Sequence, residues 1–464
     1  MKFQGEDFCL KNETAKLLYN KYAKALPIID YHCHLDPKDI YEDKVFNSLS
    51  ELWLSGDHYK WRLMRANGVA EEYITGKGDD NKKLHYWAET LENCIGNPVY
   101  AWCHMELKKY FDYEGVLDKK TADDVISWCE KYFKEGRISA RKLIEESKVT
   151  HICTTDDPVS DLKWHRAIRE DESFKTKVMP SWRPDGILGI EKESFKEYIE
   201  KLGRVTGIKI ECLEDLKTAT VKRIEFFNEN GCRVSDHGLE ECFKVEKSPD
   251  ADDIFKKVLE GYNPTEEECI KYKGEMLLFM AGEYVKHNWA MQLHYGCSRN
   301  VNTKLYKLLG ADTGIDCINP CAPSRNLAVM LDGFLKEDKL PKTIVYSLDP
   351  SENDAIDTII GCFQGLGKGY IQHGAAWWFN DHKKGIETHL ESLGANGVLG
   401  NFIGMLTDSR SFVSYTRHDY FRRILCSLLG KWAEEGEYPL DEEALGNIIE
   451  NICYYNASEY FGFK

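Results

Sequence analysis

Two histidines separated by one residue, His32 and His34, end a short apolar run of the sequence. Residues two apart on a β-strand point to the same side, so both imidazoles can reach one metal ion while Cys33 points away from it. The alternative is a strand end that carries two unrelated polar residues, and the His-x-His spacing alone leaves both interpretations open. Further ligands are needed to favour a metal site.

His294 and Asp408 supply such ligands, because each ends a later run of the same kind. If the runs are parallel strands, their carboxyl ends meet at one edge and both side chains converge on the histidine pair. Three imidazoles and a carboxylate are a suitable set for Zn²⁺ or a similar divalent ion. We therefore predict one divalent ion per chain, zinc in the first instance, with its necessity for turnover left open. The predicted ligands are His32, His34, Asp408 and His294.

Two arginines, Arg183 and Arg410, also lie at predicted strand ends. An arginine usually forms a surface salt bridge or stays solvated. At an inward-facing strand end, however, its planar guanidinium can bind a carboxylate through two hydrogen bonds. The formal net charge of the chain is -16. An anionic small substrate would therefore need a local cationic cluster of this kind.

Three further groups of polar and aromatic residues are candidates, and each has a structural alternative. They are residues 57–62 with His58 and Tyr59, the pair Asp236 and His237, and the pair Trp377 and Trp378. The first group could be a helix with one wet face. The second could be a buried and satisfied ion pair, and the third could be core rather than a platform for a sugar.

Eight short apolar or β-branched runs must position these candidates: residues 28–35, 150–156, 178–185, 232–237, 290–294, 343–349, 370–378 and 402–410. Runs of this length, apolar on both faces, are typical of buried parallel strands. Helical patterns separate most of them, among them residues 222–230, which end at the C-cap Gly231, and residues 354–362. Eight strand–helix steps predict an α/β fold, a single (β/α)₈ TIM barrel over residues 1–464.

A long segment without such a run separates the first run from the second. It is too long for a barrel loop and too rich in aromatic residues to be disordered. Thr121 with Asp124 resembles a helix N-cap with an acidic third position, and apolar residues follow at helical spacing. We predict that residues 38–145 form a mainly helical insertion packed at the barrel mouth.

Composition excludes several classes of function. The strongly negative chain is unsuited to a nucleic acid or an anionic membrane. No signal-peptide run opens the sequence and no run approaches the roughly 18 apolar residues of a membrane span. We therefore predict a cytoplasmic protein. No GxGxxG or P-loop motif is present, which argues against a nucleotide cofactor. The 16 cysteines form no CxxC pair and are predicted to be reduced, mostly buried thiols.

Seven motifs, in order and spread over nearly the whole chain, resemble the uronate (glucuronate) isomerase family, a divergent branch of the amidohydrolase superfamily. They are DYHCHL (30–35), DHYKWRLMRANGV (57–69), SWRPD (181–185), SDHG (235–238), QLHYGCSRN (292–300), DTGID (312–316) and LTDSRSF (406–412). Such an ordered set is much more specific than the His-x-His pair alone.

The resemblance implies reversible aldose–ketose isomerisation of D-glucuronate to D-fructuronate and of D-galacturonate to D-tagaturonate. It also implies the amidohydrolase-type barrel, a homo-oligomer, and His32, His34 and Asp408 as metal ligands with His294 nearby. Residues implied to contact substrate or to assist proton transfer are His58, Tyr59, Arg183, Asp236, His294 and Arg410. The fourth run carries no lysine that could be carbamylated as a bridge, so a two-metal hydrolytic centre is not expected.

Isomerisation through an enediol needs a base near C2, an acid near the carbonyl oxygen and positive charge for the developing oxyanion. We assign the base to Asp408, tuned by Arg410 on the same face. Tyr59 or His58 is expected to shuttle the hydroxyl proton. Predicted substrate contacts are Arg183, Asp236, His294 and Trp377.

Two other functions stay open on the sequence. A metal-dependent hydrolase on the same barrel would use the ion to make hydroxide. A non-catalytic sugar-binding protein is the second alternative, although a binder would not need both the His-x-His pair and the Asp408-Ser409-Arg410 segment.

Overall fold

Parallel strands form the frame to which the candidate residues attach, in a computed structural model that describes residues 3–463. Within that range the strands are β1 (Ile28–Asp30), β2 (Val149–Cys153), β3 (Lys177–Met179), β4 (Val234–Gly238), β5 (Ala290–Tyr295), β6 (Cys297–Ser298), β7 (Cys317–Ile318), β8 (Lys342–Ser347) and β9 (Ile371–His373). One parallel sheet has the order β1-β2-β3 and a second has the order β4-β5-β8-β9, while β6 and β7 form a small antiparallel pair. The chain is therefore a mixed α/β protein with parallel sheets.

Trp182 joins the two parallel sheets. Its amide N donates to Val234 O at 3.0 Å, and its carbonyl accepts from Asp236 N at 2.9 Å. The indole is fully buried and meets the ring of Phe227 edge-on at 5.1 Å between centroids. The SWRPD segment, which follows β3, is thus aligned beside β4, and the next side chain, that of Arg183, lines the cleft described below.

Residues 402–410 do not form the regular eighth strand that the sequence predicts. Asp408 has φ +44° and Gly404 has φ +79°, values in the left-handed region that interrupt an extended backbone. The segment still follows β1: Asp408 N donates to His32 O at 3.1 Å, and His34 N donates to Ser409 O at 3.0 Å. Because the backbone bends at Asp408, this segment makes these two backbone hydrogen bonds to the segment after β1, instead of the continuous ladder of a regular strand.

Asp30 fixes the same segment from within the core. Its side chain is 0% exposed. One carboxylate oxygen accepts from Thr407 N at 2.8 Å and the other from Thr407 Oγ1 at 2.6 Å. A buried carboxylate needs such partners, because an unpaired one would lose its hydration without compensation. Asp30 therefore sets the position of the residue that precedes Asp408.

Helices occupy most of the chain between β1 and β2. They are α2 (Pro37–Tyr41), α3 (Leu49–Leu54), α4 (His58–Ala66), α5 (Asp80–Glu92), α6 (Pro98–Phe111), α7 (Ala122–Lys134) and α8 (Ala140–Glu146), after α1 (Glu13–Leu18) near the amino end. Thr121 is the N-cap residue of helix α7, as the sequence predicts, but its side chain makes no capping hydrogen bond. The Thr121 hydroxyl donates to Val116 O at 2.7 Å instead of binding the first turn.

The remaining helices lie between and after the later strands. They are α9 (Lys163–Glu170), α10 (Asp185–Leu188), α11 (Phe195–Thr206), α12 (Leu213–Glu229), α13 (Ala251–Leu259), α14 (Glu266–His287), α15 (Thr303–Leu309), α16 (Arg325–Lys336), α17 (Asn353–Gly361), α18 (Lys383–Asn396), α19 (Thr416–Glu434), α20 (Glu442–Glu450) and α21 (Asn456–Phe461). Helix α12 contains all but the last residue of the predicted helix 222–230, and α17 contains all but the last residue of 354–362. Across residues 3–463, none of the helices combines the length and the apolar character needed to cross a bilayer.

The 16 cysteines are free thiols, and ten of them are buried. Burial raises the pKa of thiols such as those of Cys33 and Cys153, which keeps them protonated and unreactive. The predicted reduced state is confirmed for these residues. Cys33 also has the predicted orientation, because it packs in the apolar core while its two neighbours, His32 and His34, face the cleft described below.

Replacing Asp30 by Ala tests the link between β1 and the segment before Asp408. The change leaves the amide and the hydroxyl of Thr407 buried without acceptors, and we expect a loss of about 2–5 kcal/mol in the free energy of unfolding. Urea unfolding followed by circular dichroism measures it. Asp30→Asn keeps an acceptor and the side-chain shape, so it should lose less than half as much. Equal losses in the two variants would mean that only the volume of Asp30 matters.

Candidate active site

A cleft of about 340 Å³ opens at the carboxyl ends of the parallel strands. Most of the predicted site residues line it, and they come from the segments after β1, β3 and β9, from β5, from the segment around Asp408 and from helix α4. Those lining residues are His32, His34, His58, Tyr59, Arg183, His294, Trp377, Asp408 and Arg410. Asp236 lies one layer deeper, 0% exposed, behind Arg183 and His294.

Asp408 is the centre of the cleft floor. Its Oδ1 lies 3.1 Å from His32 Nε2 and 3.0 Å from His34 Nε2. Burial raises the pKa of the Asp408 carboxyl, but the hydrogen bonds from His32 and His34 outweigh burial and hold that pKa well below its usual value. The carboxylate is therefore ionised at neutral pH, and both imidazoles of the His-x-His pair reach one oxygen.

His32 belongs to two groups of possible metal ligands, one with His34 and Asp408 and one with Asp236 and His294. His294 Nδ1 lies 2.8 Å from Asp236 Oδ1, and its ring lies 4.8 Å from that of His32 between centroids. The ring of His294 stacks on Tyr346 at 4.2 Å, which fixes its orientation. Its Nε2 is buried without a hydrogen-bond partner among the residues described. An unpartnered imidazole nitrogen in a dry site is one that a ligand or an ion can satisfy.

The donor set fits a divalent cation. Ligand atoms of His32, His34 and Asp408 lie within 4.8 Å of one another, as do those of His32, Asp236 and His294. Imidazoles oriented by carboxylates are typical of metal ligands, because the second nitrogen is fixed by its hydrogen bond. The arrangement supports a divalent metal and leaves its identity open.

Trp377 contacts the carboxylate directly. Its indole Nε1 donates to Asp408 Oδ2 at 2.7 Å, and its ring meets His294 edge-on at 4.8 Å between centroids. The two oxygens of Asp408 thus have different partners, imidazoles on Oδ1 and an indole on Oδ2. The sequence predicts a substrate contact for Trp377, and the structure adds this hydrogen bond, for which the sequence holds no signal.

Arg183 is held between two carboxylates. Its Nε donates to Asp185 Oδ2 and its Nη1 donates to Asp236 Oδ2, both at 2.9 Å. The remaining Nη2 lies where a Cβ at Gly238 would approach to 3.0 Å, so the glycine of the SDHG motif leaves room for the guanidinium. Burial raises the pKa of Asp236, but Arg183, His32 and His294 outweigh it and keep this carboxyl ionised.

Arg410 does not act on Asp408 as the sequence predicts. It extends to the rim, where its Nη2 donates to Asp312 Oδ2 at 3.0 Å. The left-handed backbone of Asp408 changes the alternation of side chains that an extended strand would give. Asp408 is therefore tuned by His32 and His34, whereas Arg410 contributes positive charge at the rim of the cleft.

His58 and Tyr59 enter the cleft on the first turn of helix α4. Asp57 is the N-cap residue and accepts from Tyr59 N at 2.9 Å, so the helix begins at His58. The imidazole of His58 packs against Trp378 at 5.2 Å between centroids, and burial lowers its pKa. Tyr59 Oη donates to Asp381 Oδ2 at 2.9 Å. The residues form a helix with exposed positions, as the structural alternative predicts, and the side chains of His58 and Tyr59 also line the cleft.

Sequence reasoning missed Arg299, Arg417 and Asp381 as individual residues. Arg299 lies over Trp378 and pairs with Asp316 at 3.0 Å, and it is part of the QLHYGCSRN motif, which could have identified it. Arg417 stands nine residues beyond Asp408, within the first turn of α19, where no strand pattern marks it. Asp381 follows β9 after a short turn, beyond the predicted seventh strand.

Comparisons with known proteins agree with the motifs. The family model for glucuronate isomerase matches residues 1–461. The uronate isomerase of Endomicrobium trichonymphae is 52% identical to this chain, over 100% of this chain and 99% of that protein. The crystal structure of uronate isomerase from Thermotoga maritima is 36% identical with a TM-score of 0.94, over 99% of this chain and 100% of that one. The glucuronate isomerase of Caulobacter crescentus, 23% identical with a TM-score of 0.92, has the same fold over 100% of this chain and 97% of that one. The resemblance stated from the motifs is confirmed, and the chain belongs to the glucuronate isomerase family.

Proposed function

We propose that the cleft binds a hexuronate in its open-chain form and transfers a proton between C2 and C1, in either direction. The substrates of this uronate isomerase activity are D-glucuronate, which becomes D-fructuronate, and D-galacturonate, which becomes D-tagaturonate. The observation that carries the proposal is the ionised Asp408 carboxylate at the floor of a cleft whose walls hold several arginines. Such a site combines a base with positive charge for an anionic substrate.

The substrate carboxylate requires a cation, and Arg183 is our choice for it. Its Nε and Nη1 are occupied by Asp185 and Asp236, which fix the guanidinium plane. The side chain still lines the cleft, and a fixed guanidinium loses little entropy when it binds a carboxylate. In this proposal Asp236 orients Arg183 and His294 from behind the cleft, and His294 contacts a sugar hydroxyl.

Asp408 is proposed as the base at C2. General base catalysis requires an ionised group within hydrogen-bond reach of the proton it takes. Its low pKa satisfies the first condition, and its place on the cleft floor supports the second. Trp377 holds Oδ2, which limits rotation of the carboxylate. Tyr59, with His58 as the alternative, exchanges the hydroxyl proton between the oxygens on C2 and C1.

A divalent ion, zinc in the first instance, would be held by His32, His34 and Asp408, with His294 nearby. When bound, it would supply positive charge that stabilises the developing oxyanion. The proton transfers assigned here to Asp408 and Tyr59 are carried out by the side chains themselves.

A closed eight-position barrel is the architecture that we propose for the frame. The bridge at Trp182 and the bonds from Asp408 N and His34 N to the neighbouring segments support closure on both sides of β1, β2 and β3. Residues 38–145 are proposed as an insertion at its mouth, because Tyr59 reaches across to Asp381. A cytoplasmic homo-oligomer completes the proposal, on the strength of the family.

Incubation of the purified protein with D-glucuronate in D₂O, followed by NMR, tests the function. We expect the ketose signals of D-fructuronate to appear and the reverse reaction to regenerate the aldose. Hydrolysis of an ester or amide substrate with no ketose formed would favour a metal-dependent hydrolase. Binding of the uronate with neither reaction would favour a sugar-binding protein.

Asp408→Asn keeps the shape of the side chain and removes the base. We expect turnover to fall by about 10² to 10⁴, the usual worth of a general base, and exchange of the C2 hydrogen with D₂O to fall in parallel. Metal content must be measured on the same sample, because Asp408 is also a proposed ligand. Exchange at the wild-type rate with unchanged metal would move the base to another residue.

The double variant His32→Ala, His34→Ala tests the metal site. We expect the wild-type protein, loaded with Zn²⁺ and desalted, to retain about one ion per chain, since two histidines and a carboxylate form a tight donor set. The double variant should retain little, as measured by elemental analysis. The control is His85→Ala, at a partly exposed histidine paired with Asp123 outside the cleft. Undiminished metal in the double variant would rule out this pair as ligands.

A further inference from the structure

Tyr59 and Asp381 form a buried donor–acceptor pair at the side of the cleft. The phenol of Tyr59 donates to Asp381 Oδ2 at 2.9 Å, and the two residues lie 322 positions apart in the chain. Asp381 is 5% exposed. Tyr59 lines the cleft on α4, while Asp381 closes the turn after Trp378 and lies behind it, against a smaller cavity. The tyrosine therefore stands between the substrate space and the carboxylate.

Arg417 holds this pair in place. Its guanidinium lies 5.1 Å from the centroid of the Tyr59 ring, and its Nη1 lies 3.7 Å from Asp381 Oδ2. The same Nη1 donates to Thr407 O at 3.1 Å, next to Asp408 in sequence. Arg417 is 3% exposed, and its Nε is buried without a partner among the described residues. One buried cation thus ties the pair to the segment that carries the base.

The isomerisation requires two proton transfers to which a single tyrosine is poorly suited. The hydroxyl on C2 must lose its proton and the oxygen on C1 must gain one. A tyrosine that only accepts a proton would become a protonated phenol, and one that only donates would become a phenolate. Burial and the neighbouring carboxylates raise the pKa of the Tyr59 phenol well above its usual value, so a phenolate there is costly. A second acceptor behind the phenol removes that cost.

We propose that Asp381 is a proton acceptor that works through Tyr59 in the isomerisation, a role that rests on the proposed function. As the proton of the C2 hydroxyl passes to the Tyr59 oxygen, the phenol's own proton passes to Asp381 Oδ2. The reverse movement returns this proton to Tyr59 while Tyr59 delivers one to the oxygen on C1. No proton is gained or lost overall, and the phenol stays neutral throughout.

The charges around Asp381 suit this task. Burial raises the pKa of its carboxyl to about 7, against the lowering effects of Arg417 on α19 and of Tyr59 on α4. Asp408 and Asp57 raise it further. A carboxyl that titrates near neutral pH gains and loses a proton with little free-energy difference, which is the condition for efficient general acid–base catalysis. Asp381 is a positioning residue for Tyr59, because it does not itself line the main cleft.

The test is a double-mutant cycle of Asp381→Asn and Tyr59→Phe, assayed for conversion of D-glucuronate. Asparagine still accepts the phenol's hydrogen bond but cannot take a proton, so we expect kcat to fall by about 10²-fold, with KM nearly unchanged. Tyr59→Phe should cost a similar factor. Because the two groups act as one unit, the double variant should be no slower than Tyr59→Phe alone.

Three results would overturn the proposal: multiplicative losses in the double variant, a loss confined to KM, or wild-type kcat in Asp381→Asn. Asp357→Asn is the matched control, since Asp357 is a 2% exposed carboxylate that accepts from His373 Nδ1 at 2.8 Å outside the cleft. We expect it to lower the melting temperature without changing kcat. The proposed function fails separately, if the wild-type protein forms no ketose.

Discussion

The contact between Asp408 and the two imidazoles that follow β1 is the interaction on which the rest of the site depends. A half-buried carboxylate such as that of Asp408 is costly unless charged or hydrogen-bonding groups surround it, and here His32, His34 and Trp377 do so. Getting Asp408 into this position requires a left-handed backbone at φ +44°, which a non-glycine residue adopts only when its surroundings compensate. The two backbone bonds to the segment after β1 and the Asp30 bonds to Thr407 provide that compensation.

The positive charge of the cleft, in a chain that is acidic overall, is held in ion pairs. Each arginine that lines the cleft lies near a carboxylate: Arg183 near Asp236, Arg299 near Asp316, Arg410 near Asp312 and Arg417 near Asp381. These partners fix the guanidinium groups before a ligand arrives, so less side-chain entropy is lost on binding. Asp236 serves two groups at once, since its second oxygen orients His294. Removing it would disturb a cation and an imidazole together.

The sequence predicts strand positions and the residues at their ends well, because both depend on local pattern. Seven of the eight predicted runs contain or adjoin an observed strand, and the His-x-His pair faces the cleft. The eighth run is the exception, since its hydrophobic pattern cannot report a left-handed residue at Asp408. For the same reason the sequence does not show that Arg410 pairs with Asp312 at the rim instead of contacting Asp408. Asp381 and Arg417 escape prediction because their roles arise from contacts between α4, α19 and a turn that are far apart in sequence.

The geometry of the insertion also limits how a substrate reaches the floor of the cleft. Helix α4 is fixed to the opposite wall, because Arg62 Nη1 donates to Asp316 O at 2.7 Å and its guanidinium lies 4.9 Å from the ring of Phe379. Arg183 is 24% exposed and its partner Asp236 is fully buried, so this ion pair lies deep in the cleft. Arg410 and Asp312 are 36% and 55% exposed. A uronate that enters past this pair meets positive charge at the rim first and Asp408 last.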